Sequence, residues 1–114
     1  MKLRTFREYL RSIYNDDEGW RTLNFSDQDG DCYQITDVYI DDDDDICLEA
    51  GDGCEMSAEE IYNQLRGYNA NTYIYIYAPA DDYNFEIEGG WYIDDDDDLM
   101  MDMHYHPDYD DDDD

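Results

Sequence analysis

Val38-Tyr39-Ile40, five aspartates (Asp41 to Asp45) and Ile46-Cys47-Leu48 form a stretch that returns 53 residues later as Trp91-Tyr92-Ile93, Asp94 to Asp98 and Leu99-Met100-Met101. Self-similarity at a fixed interval means that one structural unit is used twice. The same interval pairs Leu23 with Ile76, Cys32 with Phe85 and Gln34 with Ile87. An interval of 52 pairs Thr5-Phe6-Arg7-Glu8 with Ser57-Ala58-Glu59-Glu60, so one single-residue insertion reconciles the halves.

Each half reads as a helix followed by three strands. Thr5 and Ser57 each stand three residues before a Glu, the capping-box spacing in which the hydroxyl accepts an N–H that the first helical turn leaves over. Apolar stripes follow at helical spacing: Phe6, Tyr9, Leu10 and Ile13, then Ala58, Ile61, Tyr62 and Leu65. The strands alternate with period 2. Tyr73-Ile74-Tyr75-Ile76-Tyr77 puts isoleucine on one face and tyrosine on the other, and Leu23 and Phe25 share a face against Thr22 and Asn24. Phe85, Ile87, Trp91 and Ile93 oppose Glu86, Glu88 and Tyr92, with a bulge or bend at Gly89-Gly90, and Leu99 and Met101 complete that apolar face. Asp29-Gly30 and Ala80-Asp81-Asp82 mark the first hairpin of each half, and the Asp runs lie in the second connection. The expected fold class is α+β: two pseudo-symmetric αβββ repeats (about 5–50 and 57–103) in one domain, 1–106, with helices packed on antiparallel sheet. Residues 107–114 read as an acidic tail.

The charge balance is equally informative. The 114 residues carry 34 Asp and Glu against 6 Lys and Arg, a net charge of -28. Apolar residues still make up 41% and aromatics 16%, well above disordered acidic chains, so the chain should fold. Self-repulsion weakens a compact state, and solubility needs only about 2–8 net charges on a small domain. The excess therefore points to a use for negative potential. Direct contact with nucleic acid or an anionic membrane, which depends on Lys and Arg clusters, is disfavoured. A basic partner is favoured. Five of the six cations (Lys2, Arg4, Arg7, Arg11, Arg21) lie in the first 21 residues, with no apolar targeting run behind them and nothing near the ~20 apolar residues of a membrane span. The expected location is the cytoplasm, that of a host cell if a phage encodes the protein. Cys32, Cys47 and Cys54 are odd in number and lack CxxC spacing, which fits small buried thiols in a reducing compartment.

No nucleophile elbow, phosphate loop or metalloprotease helix is present, so the expectation is not an enzyme, with no cofactor. Asp27, Asp29 and Asp31 begin like a calcium loop, but Val38, twelfth from Asp27, cannot supply the bidentate carboxylate, and a hairpin turn explains them more simply. His104 and His106 with Asp108 offer two imidazoles without a third fixed ligand, and read as a strand-end tail rather than a metal site.

A charge run is usually a solvated loop, but these runs recur at equivalent places. In an extended segment alternate side chains lie about 6.6 Å apart, close to twice the ~3.4 Å rise per nucleotide of a DNA strand. Carboxylates so spaced approximate phosphates. Tyr73, Tyr75, Tyr77 and Tyr92 add the amphipathic rings that dominate interface hot spots, although a packed layer or a homodimer contact would use them equally well. The candidate partner-binding residues are Asp41, Asp42, Asp43, Asp44, Asp45, Asp94, Asp95, Asp96, Asp97, Asp98, Glu86, Glu88, Tyr73, Tyr75 and Tyr77.

With net charge, Asp runs on a folded scaffold and aromatic strands together, the sequence resembles the DNA-mimic inhibitors of bacteriophages and mobile elements, the anti-CRISPR and anti-restriction proteins. The resemblance is of composition, over the whole chain. It implies occupancy of the groove where a nuclease or CRISPR effector binds DNA, blocking recognition without chemistry. Asp greatly outnumbers Glu here, which favours loop-borne over helix-borne charge. The expected function is thus an acidic nucleic-acid mimic that binds the basic surface of a DNA- or RNA-binding effector. The alternatives are a divalent-cation-binding acidic protein and an acidic chaperone of a basic protein.

Overall fold

The structure, a computed structural model, describes residues 1–51 and 55–105. Its elements in order are α1 (Leu3–Asn15), β1 (Leu23–Ser26), β2 (Cys32–Ile40), β3 (Ile46–Ala50), α2 (Ala58–Leu65), β4 (Ile74–Ala78), β5 (Tyr83–Ile93) and β6 (Leu99–Tyr105). Each half has its helix and three strands, but the expectation of helices laid on antiparallel sheet is wrong. The strands close into a six-stranded barrel in sequence order, with β1 beside β6. Four neighbouring pairs are antiparallel hairpins; β3 with β4 and β1 with β6 are parallel. Two physical reasons combine. A helix lies between β3 and β4 in the chain, and such a crossover is what a parallel neighbour requires. Each three-stranded unit also has two open edges, and each edge is satisfied by the other unit.

The alternating apolar positions face one shared interior. Leu23 and Phe25, Ile46 and Leu48, Ile74 and Ile76, Phe85, Leu99 and Met101 are fully buried, and Leu3, Phe6 and Ile13 of α1 with Ile61 and Leu65 of α2 belong to the same cluster. The Phe6 and Phe25 rings lie 6.5 Å apart, helix against barrel. Trp91 and Ile93 are only half-buried, short of the core positions expected for them. Cys47 is buried as expected, Cys32 is exposed instead, and Cys54, His106 and the 107–114 tail lie outside the described residues.

The helix starts differ from each other. Ser57 forms the expected capping box, its hydroxyl accepting from the Glu60 N–H while the Glu60 side chain accepts from the Ser57 N–H. Thr5 caps nothing; α1 begins at Leu3 behind Lys2, which makes no side-chain cap. The first α1 amides are satisfied by backbone instead, Leu3 N–H donating to Thr72 O at 2.8 Å and Arg4 N–H to Ala70 O at 2.9 Å. This early start buries Leu3, which the expected stripe omitted; Tyr9 and Tyr62 are half-buried at its edges.

The two halves are equivalent through changing intervals. The Lys2–Tyr73 bridge mirrors Ser57–Thr22, which pairs Leu3 with Ala58, Phe6 with Ile61 and Leu10 with Leu65. Leu23 beside Leu99 mirrors Ile74 beside Ile46. Tyr33 and Ile35 correspond to Phe85 and Ile87, one residue away from the Cys32 and Gln34 matches expected, and Leu23 corresponds to Ile74 rather than Ile76. Only beyond the register shifts, at Ile35/Asp37 in β2 and Ile87/Trp91 in β5, does the interval of 53 hold. The β5 bulge holds the extra residue, and both its glycines take left-handed backbone, φ +96° at Gly89 and +76° at Gly90.

Candidate functional site: the aspartate turns

The Asp runs are not extended. Each is a tight five-residue hairpin turn organised by its own first carboxylate. Asp41 Oδ1 accepts the N–H groups of Asp43 and Asp45, both at 2.9 Å, while Asp41 N–H donates to Asp45 O at 2.9 Å and Asp44 N–H to Asp41 O at 3.1 Å. The second run repeats this: Asp94 Oδ1 accepts from Asp96 at 3.0 Å and Asp98 at 2.9 Å. Asx-type bonding of this kind lets an Asp side chain stand in for backbone in a turn. Asp27 to Asp31 are built identically, with Asp27 Oδ1 accepting from Asp29 and Asp31. The fourth position of each turn is left-handed: Gly30 at +89°, Asp44 at +66° and Asp97 at +70°. Phosphate-like spacing along an extended strand therefore does not apply, and one carboxylate in each run is committed to the turn.

Strand directions place the turns. The hairpins β2–β3 and β5–β6 turn at the rim where β1 and β4 begin, and Asp27 to Asp31 turn at the other rim. Asp41 to Asp45 and Asp94 to Asp98 thus share one end of the barrel, on opposite sides of its axis. Asp42, Asp43 and Asp44 are exposed, as are Asp95, Asp96, Asp97 and Asp98. Carboxylate oxygens of Asp94, Asp96 and Asp98 lie within 4.8 Å of one another.

Of the tyrosines expected on a free outer face, Tyr92 is exposed, whereas Tyr73, Tyr75 and Tyr77 are half-buried and engaged. The Tyr75 hydroxyl donates to Asp41 Oδ2 at 2.7 Å, Tyr77 to Asp82 at 3.0 Å and Tyr73 to Glu86, which also pairs with the Met1 amino group. Glu88 is exposed and pairs with His104 Nδ1 at 2.9 Å. Among the candidate residues, then, Tyr75 and the Asp41 turn meet, Tyr73 and Glu86 form a separate pair, and Glu88 stands with His104. Three further pairs went unnoticed in the sequence: Tyr33 with Asp81, Tyr92 with Asp102 and Tyr105 with Asp29. With 13 Tyr against 6 cations, phenol hydroxyls supply the donors that Lys and Arg supply elsewhere.

The pairing of Asp41 with Tyr75 shifts titration in both. Burial would lift the Asp41 carboxyl, but the Tyr75 hydroxyl and the amides of Asp45 and Asp43 outweigh it and hold it below the usual range. Asp45 goes the other way, raised by burial and by its neighbours Asp41, Asp43 and Asp44. Burial and the Asp41 bond push Tyr75 up, and the hydrogen bond to Asp29, followed by burial, pushes Tyr105 up to about 12. A tyrosine whose folded pKa is raised stabilises the fold below its unfolded value, about 10, and that contribution is lost as pH rises through the folded pKa. Alkaline titration should therefore show tyrosinate absorbance rising together with loss of circular dichroism. Gradual ionisation from about pH 10 with the fold intact would contradict it.

Among the described residues no helix is long and apolar enough to cross a membrane. No protein-family model, curated protein or solved structure matches the chain.

Proposed function

We propose that the barrel is a nucleic-acid mimic: it presents two fixed carboxylate turns on one rim to the basic surface of a DNA- or RNA-binding effector and competes with nucleic acid there. The observation that carries this reading is the duplicated turn, four residues of each Asp run remaining beyond the one that organises it, set at opposite sides of the same rim. Asp44 and Asp97 support it further. They occupy left-handed positions where the third turn has Gly30, so carboxylates are kept where both backbone and local charge disfavour them. Fixed charge on a rigid body gives fast, salt-sensitive association with a basic partner. An acidic chaperone of a basic protein would use the same surface, and the partner's identity separates the two.

The test is competition with a DNA duplex across a panel of basic nucleases and CRISPR effectors. Variants neutralise Asp42 to Asp45 and Asp95 to Asp98 as Asn while keeping Asp41 and Asp94, so the turns survive. Each set should weaken binding by about tenfold and flatten its salt dependence, and both together should do more. Duplex still bound by every effector with the barrel saturating would refute the mimic. The competing reading, divalent-cation binding, is favoured by the closeness of Asp94, Asp96 and Asp98. Calorimetry decides it, because a dedicated Ca²⁺ site gives a defined stoichiometry and diffuse condensation does not.

A further inference from the structure

Helix α1 has 13 residues against 8 in α2, so the first half is longer than the second between the start of its helix and its first barrel strand. What the extra length builds is an exposed aromatic edge. Trp20 is 66% and Tyr14 63% exposed, the most open large apolar side chains of the described residues. Trp20 is nevertheless fixed: its Nε1–H donates to Asp17 O at 2.9 Å, and the Arg21 guanidinium sits 4.5 Å from its ring centroid. Arg21 in turn pairs with Glu18 and donates to Asp97 O at 2.6 Å, which ties this edge to one acidic turn. The loop is also pinned to α2, where Glu59 N–H donates to Gly19 O at 2.9 Å.

Beside the edge runs a cleft of about 380 Å³ between the helices, with Leu10 and Ala58 among its lining and Tyr14, Gly19, Glu59 and Tyr62 around them. A Cβ on Gly19 would stand 3.5 Å from Tyr14 and 3.7 Å from Glu59. These are ordinary contacts, so a Cβ fits there and only a longer side chain would reach into the cleft. Resting on the proposed function, we infer that Trp20, Tyr14 and this cleft form the anchor of the partner interface, taking an apolar side chain that a basic protein segment carries between its lysines or arginines.

Charge decides the occupant. Of the charged residues that line the cleft, Glu59 is acidic and Arg11, engaged with Tyr62, is basic. Asp16, Asp17 and Glu18 fill the chain between its lining residues Asn15 and Gly19, and the Asp94 to Asp98 turn lies across Arg21, so acidic groups outnumber the cations and a cationic segment is attracted. A second copy, also at -28, and a nucleic acid are repelled. Trp, Tyr and Arg gathered around a pocket are the residue types that concentrate binding energy, ringed here by charges that steer and exclude alternatives. The anchor adjoins the Asp94 to Asp98 turn through Arg21, so the interface is centred nearer that turn, with the Asp41 to Asp45 turn at its far side.

Two lysine-rich peptides of equal length and charge serve as probes, one carrying a central leucine pair and the other none. The intact protein should bind both, more tightly the one with leucine. Trp20→Ala, which removes an exposed ring, and Gly19→Leu, which fills the cleft, should each weaken the leucine peptide by about tenfold and leave the all-lysine peptide within about twofold. Trp20→Phe should restore most of the difference. If both variants leave the two peptides' affinities unchanged, or lower them equally, the anchor is refuted while charge-driven binding stands. If the unaltered protein binds neither peptide in low salt, the charge reading fails and the anchor with it.

Discussion

Replacing Asp41 and Asp94 together by alanine is expected to lower stability by about 3 kcal/mol, even though it removes two charges from a protein that carries too many. Each substitution strips the acceptor from two backbone N–H groups of its turn. Asp41 should account for the larger share, about 2 kcal/mol, because it also holds the hydroxyl of half-buried Tyr75. Asn at either site should recover most of the loss, since its carbonyl oxygen can accept the same two amides. Asp43→Ala or Asp96→Ala, by contrast, should be neutral or slightly stabilising, as those exposed side chains only add repulsion. Urea unfolding of these variants checks this. Equal effects at the first and third positions of a run would show that the runs are charge alone.

The linkage has a pH signature with two parts. Asp41, held below its usual range, contributes stability at neutral pH that is lost as pH falls through its folded pKa. Asp45, raised, imposes a penalty at neutral pH that is relieved as pH falls through its own.

Gly89→Ala is expected to cost about 2–4 kcal/mol, by adding a side chain at positive φ and by overpacking. A Cβ there would meet the Tyr9 ring of α1, with the hydroxyl oxygen at 2.5 Å and Cζ at 2.7 Å. Gly90→Ala is the control. Its backbone is left-handed too, yet nothing lies within 4 Å, so only the conformational part, about 1 kcal/mol, should appear. Adding Tyr9→Ala to Gly89→Ala should cost less than the two changes summed. Equal losses at Gly89 and Gly90 would mean that α1 does not press on the bulge.

The repeat was legible because its most conspicuous part, the Asp turn with its flanking strands, keeps one interval through the end of β2 and β3. Elsewhere helix length and the bulge change that interval. Matching by a fixed offset therefore put Leu23 against Ile76 and gave Thr5 the N-cap place that Lys2 holds. Alternation correctly identified the inward faces of β1, β4 and β6, but period 2 reports which face is buried and not which strand lies alongside. Barrel closure through two parallel joints was invisible for that reason. The turn geometry was partly visible: Asp27 to Asp31 was read as a hairpin on the strength of Gly30, and Asp44 and Asp97 hold the same left-handed place without glycine to announce it. Trp20 carried no periodic signal, being in a loop, and its exposure emerges only from the position of α2.

The parallel joint between β1 and β6 pairs Leu23 with Leu99, one of the first strand residues with one of the last. During synthesis that edge of β1 has no partner until β6 has emerged. Such distant pairing gives a high contact order, and the loop-closure entropy must be met before the contact rewards it, so folding belongs on the slow side, in milliseconds to seconds. While it waits, the dense negative charge serves the nascent chain as well as the finished one: two half-formed meanders with open edges repel their neighbours on other ribosomes instead of joining them in a shared sheet.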